Sequence, residues 1–376
     1  MIPLFKVFMS DKVPETIGKV LMSGYIGQGP KVDEFEGVLR EYFNHDYILT
    51  LNNGTAGLHL ALHMLRNPSP GSWCDRRVVL STPQTCLATN TPIIQEGFKI
   101  RWVDVNPNTM NIDLTDLARK IDENVAGITF VHWGGSPVDL NGVNEVLDNA
   151  EKMYGYRPFI IEDCAHALGA TYDNKLIGTH GNYCMFSLQA IKHITAIDGG
   201  LLLTPNIESY CRGKLLRWYG IDRETNRKNF RCELDVAEAG FKYHMNDVCA
   251  TVGMENFKSL DAILRAQRGN ANYYDENLKD IPGVELIEVL PDAESAYWLY
   301  TIKVEDRAGF MESMKAHDIM VSQVHQRNDI HSCMDRYRSL LPGLDALCRK
   351  NVCIPVGWWI DEENRKYIVE TIKRGW

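Results

Sequence analysis

From about residue 50 to 205 the chain alternates helix-like stretches with short runs that are apolar on both faces. TAGLHLALHML (55–65) repeats apolar side chains at helical spacing, and LTDLARKID (114–122) and NEVLDNAEKMY (144–154) also read as helices. Between and beyond them RVVLS (77–81), IRWVDV (100–105), GITFVHW (127–133), PFIIED (158–163), YCMFSL (183–188) and GLLLT (200–204) read as strands. Strands without a polar face need cover on both sides, so the alternation predicts an α/β architecture around a mostly parallel sheet. Beyond residue 250 the texture changes. One long polar helix is predicted over 254–279, followed by a turn at Pro282 and Gly283, strand-like VELIEV and WLYTIKV, and helices at GFMESMKAHD and EENRKYIVETIKR. This predicts a large domain over residues 1–250 and a smaller α+β domain over 251–376.

Composition narrows the class. The 376 residues are enough for two sizeable cores, and 45% hydrophobic with 24% charged residues argues against long disorder. A net charge of -9 disfavours a nucleic-acid partner, because phosphate contacts need a basic surface. The ten cysteines are scattered with no CxxC pair. The N-terminal segment lacks the pattern of a signal peptide, and no run approaches the roughly 20 apolar residues that span a bilayer. The expectation is a cytoplasmic protein with reduced thiols and no membrane partner. His59 and His63 have helical i,i+4 spacing, but Leu60 breaks the HExxH zinc pattern, and no metal site is predicted.

Three segments carry candidate chemistry. In FSLQAIKHITAIDGG (186–200), Lys192 has Ile191 and Ile194 beside it and sits between two apolar strands. Partial burial would lower its pKa, which an amine that attacks a carbonyl needs. In PFIIEDCAHALGA (158–170), Asp163 ends a buried strand, at the edge where open α/β sheets bind ligands. Glu162 points the other way along the strand. In LNNGTAGLHLAL (51–62), Asn53, Gly54 and Thr55 open an apolar helix whose first N–H groups suit a phosphate. Ser187 offers a further hydroxyl. Each signal alone has a plain alternative: an exposed loop lysine, a helix-capping aspartate, an ordinary N-cap.

In that order, on an α/β scaffold, the segments together resemble the DegT/DnrJ/EryC1/StrS family of sugar aminotransferases. The resemblance extends through GYIGQGPKVDEFE (24–36), TPQTCLATN (82–90) and GFKYHMNDVCATVG (240–253), and so over nearly the whole chain. It implies the aspartate-aminotransferase-like fold (fold type I) and pyridoxal 5′-phosphate as cofactor. Lys192 matches the Schiff-base lysine and Asp163 the aspartate facing the pyridine nitrogen. His166 falls near the ring hydroxyl, and Gly54, Thr55, Ala56 and Ser187 match the phosphate-binding positions, Ala56 through its backbone N–H alone. Three positions depart from the family pattern. Cys86 stands where an aromatic residue often stacks on the pyridine ring. Lys242 and His244 replace an asparagine and an arginine of a block that reaches the partner subunit's cofactor. Asp198 replaces a glutamate.

The resemblance further implies a homodimer with shared active sites that moves an amino group from L-glutamate to a nucleotide-linked keto-deoxysugar. C4 of a 4-keto-6-deoxyhexose is the first expectation and C3 the second. Tyr25, His325 and His331 are the sugar-facing candidates. Arg217 and Arg231 are weighed for the diphosphate and read rather as solvated. A sugar dehydratase of the same family would carry histidine in place of Lys192. A non-catalytic sensor on this fold would be expected to lack Lys192 or Asp163, and a nicotinamide dehydrogenase would need a GxGxxG after the first strand.

Overall fold

The computed structural model describes residues 1–71, 74–223 and 235–376. Two helices, α1 (Val13–Ser23) and α2 (Pro30–Phe43), precede β1 (Ile48–Leu51) and the central helix α3 (Gly54–Arg66). Alternation follows: β2 (Val78–Ser81), α4 (Leu87–Gln95), β3 (Lys99–Trp102), α5 (Leu114–Lys120), β4 (Val125–Val131), α6 (Leu140–Tyr154) and β5 (Phe159–Asp163). The short β6 (Thr171–Tyr172) and β7 (Lys175–Leu176) lead to β8 (Tyr183–Ser187), β9 (Gly200–Leu203) and α7 (Ile207–Leu216). Then come α8 (Asp247–Phe257), α9 (Leu260–Leu278), β10 (Val284–Leu286), β11 (Ala293–Glu294), β12 (Tyr300–Val304), α10 (Arg307–Ala316), α11 (Pro342–Leu347), β13 (Asn351–Ile354) and α12 (Glu362–Lys373).

The main sheet has seven strands in the order β1-β9-β8-β5-β4-β2-β3. β9 runs antiparallel to both of its neighbours, and the other pairs are parallel. Its inner strands are buried along nearly all their length, as β4 shows with seven consecutive buried residues, so helices cover both faces. α6 illustrates how one helix is specified. Asp139 caps it by accepting from the Gly142 N–H at 2.9 Å, Gly155 ends it at φ 66°, and Leu140, Val143, Leu147 and Ala150 form its buried stripe. α3 is different. It is apolar nearly all round and buried, because it runs between the sheet and α4.

The predicted strands appear with their ends moved by up to three residues. The predicted long helix over 254–279 is corrected: α8 and α9 break at Lys258 and Ser259. No proline or glycine marks that break. Tertiary anchoring makes it: the buried Asn256 donates to the Thr195 carbonyl at 2.7 Å and accepts from the Ser10 N–H at 2.8 Å. α8 is thereby held against α1 and α2, while α9 runs on toward a second core.

That second core is the smaller α+β domain. The antiparallel sheet β10-β12-β13 packs with α9, α10 and α12 through Ala271, Tyr274, Ile302, Phe310, Ile354 and Ile368. The first residues of the chain lie against it, since the Met320 N–H donates to the Ile2 carbonyl at 2.9 Å and Trp359 Nε1–H to that of Pro3 at 2.9 Å. The chain then crosses to α8, where Ser10 meets Asn256. No described helix is long and apolar enough to cross a membrane.

Candidate active site

A cavity of about 760 Å³ opens at the C-terminal end of β5. Four separate parts of the chain supply its chemistry. The first is the start of α3. Asn53 caps the helix by accepting the Ala56 N–H at 2.8 Å. That bond takes the Ala56 amide, the group through which a phosphate contact was expected from this residue. The Gly54 and Thr55 amides, which have no intrahelical acceptor, line the cavity. The turn is crowded: a Cβ on Gly54 would lie 2.7 Å from Met185 Sδ, and one on Gly200 would lie 2.5 Å from the Asn53 carbonyl. These glycines let β8 and β9 press against the helix start. Ser187, the last residue of β8, lines the same wall.

The second part is Asp163, at the end of β5 and 2% exposed. Thr89 Oγ1 donates to its Oδ2 at 2.6 Å, and the Ala165 N–H donates to its Oδ1 at 3.0 Å. Burial pushes the carboxyl above its ordinary range, against these hydrogen bonds and the nearby Lys192. Its neighbour Glu162 does point the other way. There it accepts from His132 Nε2 at 2.9 Å and Asn182 Nδ2 at 2.6 Å. His132, Glu162 and Cys164 lie close enough together to hold a metal, but these atoms are already engaged, and no metal is assigned.

The third part is Lys192, on the turn after β8. Part of its surface opens onto the cavity, and the surrounding protein strips water from the amine. Burial lowers its pKa to about 8, with Asp163 and Cys86 acting in the raising direction. The adjacent His193 is turned away, its Nε2 bonding the Ala296 carbonyl at 3.0 Å. Lys192, and not the histidine beside it, therefore faces the site.

The fourth part is a stack of rings. His166 lies 4.0 Å from Trp298 and 5.7 Å from His325, nearly parallel to both. His325 belongs to a turn that Asn328 docks onto the 82–90 segment, donating to the Thr85 carbonyl at 2.8 Å and accepting from Asn90 Nδ2 at 2.8 Å. Val324, which precedes it, has φ 64°, an unfavourable conformation for a β-branched residue. The Nδ1 of His166 and the Nε2 of His325 are buried without a hydrogen-bond partner. Burial keeps both rings neutral, with His325 lowered to about 4 and His166 well below its ordinary value.

Several expected residues are not brought together within one chain. Tyr25 is 71% exposed and borders a separate groove between α1, α2 and α8. His331 does not line the cavity. Lys242 is exposed on an extended segment whose next residue, Tyr243, lines the cavity; alternation along such a segment sends Lys242 the other way. Arg217 is corrected from solvated to buried. It pairs with Glu36 at 2.6 Å and donates to the Thr50 carbonyl at 3.0 Å. Arg231 lies outside the described residues. Cys86 lines the cavity as the residue before α4. The residues that sequence reasoning missed are Trp298, Phe5 and Thr89. Nothing in their spacing marks them, and Trp298 read as the start of an ordinary strand.

Arg217 gives a test that is separate from catalysis. Replacing it with methionine leaves Glu36 buried without its cation and should destabilise the fold by about 3–5 kcal/mol. Burial alone would raise the Glu36 pKa, but Arg217 and Thr50 hold it below its ordinary value. The native pair therefore adds stability at neutral pH, lost as pH falls below the ordinary glutamate range through the folded pKa. Urea titrations should show the gap between native and Arg217→Met protein closing across that acid range. A gap unchanged with pH would count against this account.

The geometry fits pyridoxal phosphate. A buried carboxylate pushed up by burial wants a cationic N–H, two buried ring nitrogens want partners, a helix N-terminus offers amides to a phosphate, and an amine of lowered pKa stands in the same cavity.

Comparison with known proteins agrees with this chemistry. A model of the DegT/DnrJ/EryC1/StrS aminotransferase family matches residues 9–373. The structure matches that of AtS13 from Actinomadura melliaura with a TM-score of 0.96 and 46% identity, covering 100% of this chain and 99% of that one. The sugar aminotransferase CalS13 from Micromonospora echinospora gives a TM-score of 0.96 at 44% identity, with 100% of each chain covered. A UDP-4-amino-4,6-dideoxy-N-acetyl-beta-L-altrosamine transaminase from Campylobacter jejuni is 31% identical over 291 residues, 77% of this chain and 72% of that protein.

Proposed function

Because this chain belongs to the DegT/DnrJ/EryC1/StrS aminotransferase family, we propose that it is a pyridoxal phosphate enzyme moving an amino group from L-glutamate to a nucleotide-linked keto-deoxysugar, at C4 of a 4-keto-6-deoxyhexose. The observation that carries this reading is the meeting of Lys192, Asp163 and the Gly54-Thr55 helix start in one cavity. C3 amination is the second position. The dehydratase reading is disfavoured because the turn after β8 presents Lys192 to the cavity, while the adjacent His193 is turned to the Ala296 carbonyl.

When bound, the cofactor supplies an aldehyde for amine exchange and a ring that spreads negative charge. The residues that would hold it are Lys192 at the aldehyde, Asp163 at the ring nitrogen, and the Gly54 and Thr55 amides with Ser187 at the phosphate. Asp163 would keep a proton on the ring nitrogen of the cofactor. Lys192 Nζ takes the proton from the donor Cα as a base and, as an acid, would deliver it to the carbon of the cofactor's aldehyde group, a role suited to an amine whose pKa lies near 8. The free nitrogens of His166 and His325 offer hydrogen bonds to the ring hydroxyl and the acceptor. A homodimer would let Lys242, exposed beside the cavity-lining Tyr243, reach the partner's site, where a lysine meets phosphate as a point charge.

L-Glutamate alone should abolish the visible absorbance of the loaded protein and release 2-oxoglutarate. Adding thymidine diphosphate-linked 4-keto-6-deoxyglucose should then restore the band. A spectrum unmoved by L-glutamate and by every other amino acid tried would overturn the reading.

A further inference from the structure

Trp298 touches Lys192 in two ways. Its Nε1–H donates to the carbonyl of Ile191, the residue before the lysine, at 2.8 Å. Its ring face lies under the lysine amine, with Nζ 3.4 Å from the ring centroid. The indole is itself locked in place: it is 4% exposed and stacks on His166 at 4.0 Å and on Phe5 at 5.2 Å. Phe5 belongs to the N-terminal segment, which Ile2 and Pro3 tie to the small domain and Ser10 ties to α8. One side chain thus fixes both the backbone entering Lys192 and the amine at its tip.

We infer that Trp298 is the positioning residue for Lys192, holding the free amine in place and stabilising it as an ammonium ion through the face of the indole ring. The contact belongs to a free amine. A free Lys192 is also the form that carries a proton in the proposed transfer, and the inference rests on that reading. Away from water, a cation over an aromatic face gains more than at an exposed site. The charged and titratable groups around the amine are Asp163 from β5, Cys86 ahead of α4, His166 after β5, His193 on the lysine's own turn and His325 from the small domain. The three histidines are held neutral by burial, so Asp163, Cys86 and the indole face are what support the ammonium form against desolvation. An aliphatic residue at 298 would leave that work to Asp163 and Cys86.

The test reads the lysine directly. Full-length protein prepared without cofactor is trace-acetylated across a pH series, and the peptide carrying Lys192 is quantified by mass spectrometry. The native midpoint is expected at about 8. Trp298→Leu should lower it by about one unit, a roughly tenfold fall in the ratio of charged to neutral amine at a given pH. Trp298→Phe, which keeps a ring face, should lower it less. Trp298→Leu opens a core contact, so a second variant carries tetrafluorotryptophan at 298, which keeps shape and N–H but removes the negative ring face. It should lower the midpoint as Leu does. In the loaded enzyme both substitutions should slow the L-glutamate half-reaction and raise its isotope effect with Cα-deuterated glutamate, leaving KM for glutamate unchanged. A midpoint unmoved by the fluorinated ring would overturn the inference and leave the proposed function standing. A native spectrum unmoved by L-glutamate and every other amino acid tried would overturn the proposed function and leave the labelling result intact.

Discussion

Lys192→Ala protein is expected to fold and to transaminate roughly 10²–10⁴-fold more slowly than the native enzyme, the range for removal of a positioned acid–base group. The fold should survive because the change removes a desolvated amine, whose burial already pushes its pKa down to about 8, and breaks no salt bridge. Thermal unfolding should therefore stay within a few degrees of native, while borohydride, which should fix the cofactor to the native peptide containing Lys192, should label nothing there. Lys192→Arg is a sharper version. It keeps the charge, but a guanidinium does not give up its proton near neutral pH, so it should be as inactive as alanine. Native-like turnover by either variant would remove Lys192 from the mechanism.

Asp163→Asn should give the second largest loss. The side chain keeps its size and can still accept the Ala165 N–H, but the carboxylate that supports both a protonated ring nitrogen and the Lys192 ammonium is gone. Truncating one partner of a buried, hydrogen-bonded charge pair costs about 2–5 kcal/mol, so cofactor retention should weaken by roughly 30-fold or more. Dialysis followed by absorbance would measure that loss, and the rate with L-glutamate under saturating cofactor would separate binding from chemistry. The Lys192 midpoint should also fall, because Asp163 acts to raise it. A variant that keeps its cofactor and its rate would mean that Asp163 is a structural cap on the turn at Ala165. Thr89, which donates to Asp163 at 2.6 Å, should show the same effects in weaker form.

Much of this protein is written in short-range signals. The apolar runs of β2, β4, β5, β8 and β9 carry their own demand for cover on both faces, and so specify helices on both sides of a parallel sheet. Asn53 ahead of an apolar helical stripe specifies a capped N-terminus, and a strand ending in Asp163 specifies an acid at a sheet edge. Periodicity, caps and strand ends depend on neighbours a few residues away, which is why they can be read directly. Lys192 could be singled out only with help from the family blocks around it, because apolar neighbours in sequence do not measure burial.

The rest depends on contacts between segments far apart in the chain. Whether Arg217 is solvated or buried turns on Glu36, 181 residues away. Whether α8 and α9 form one helix turns on Asn256 reaching Thr195 and Ser10. Tyr25, His325 and His331 were equal candidates by sequence. The Asn90–Asn328 link draws His325 into the cavity, while His331 and Tyr25 stay outside it. Trp298 had no signal at all, since an aromatic residue beside a buried strand is ordinary core until Phe5, His166 and Lys192 are seen to meet on it. Local pattern by itself determined the sheet, its covering helices, the helix start and the strand-end acid. Packing between distant segments decided the walls of the cavity, and with them the pKa and placement of Lys192, because desolvation and ring contacts exist only once those segments are brought together.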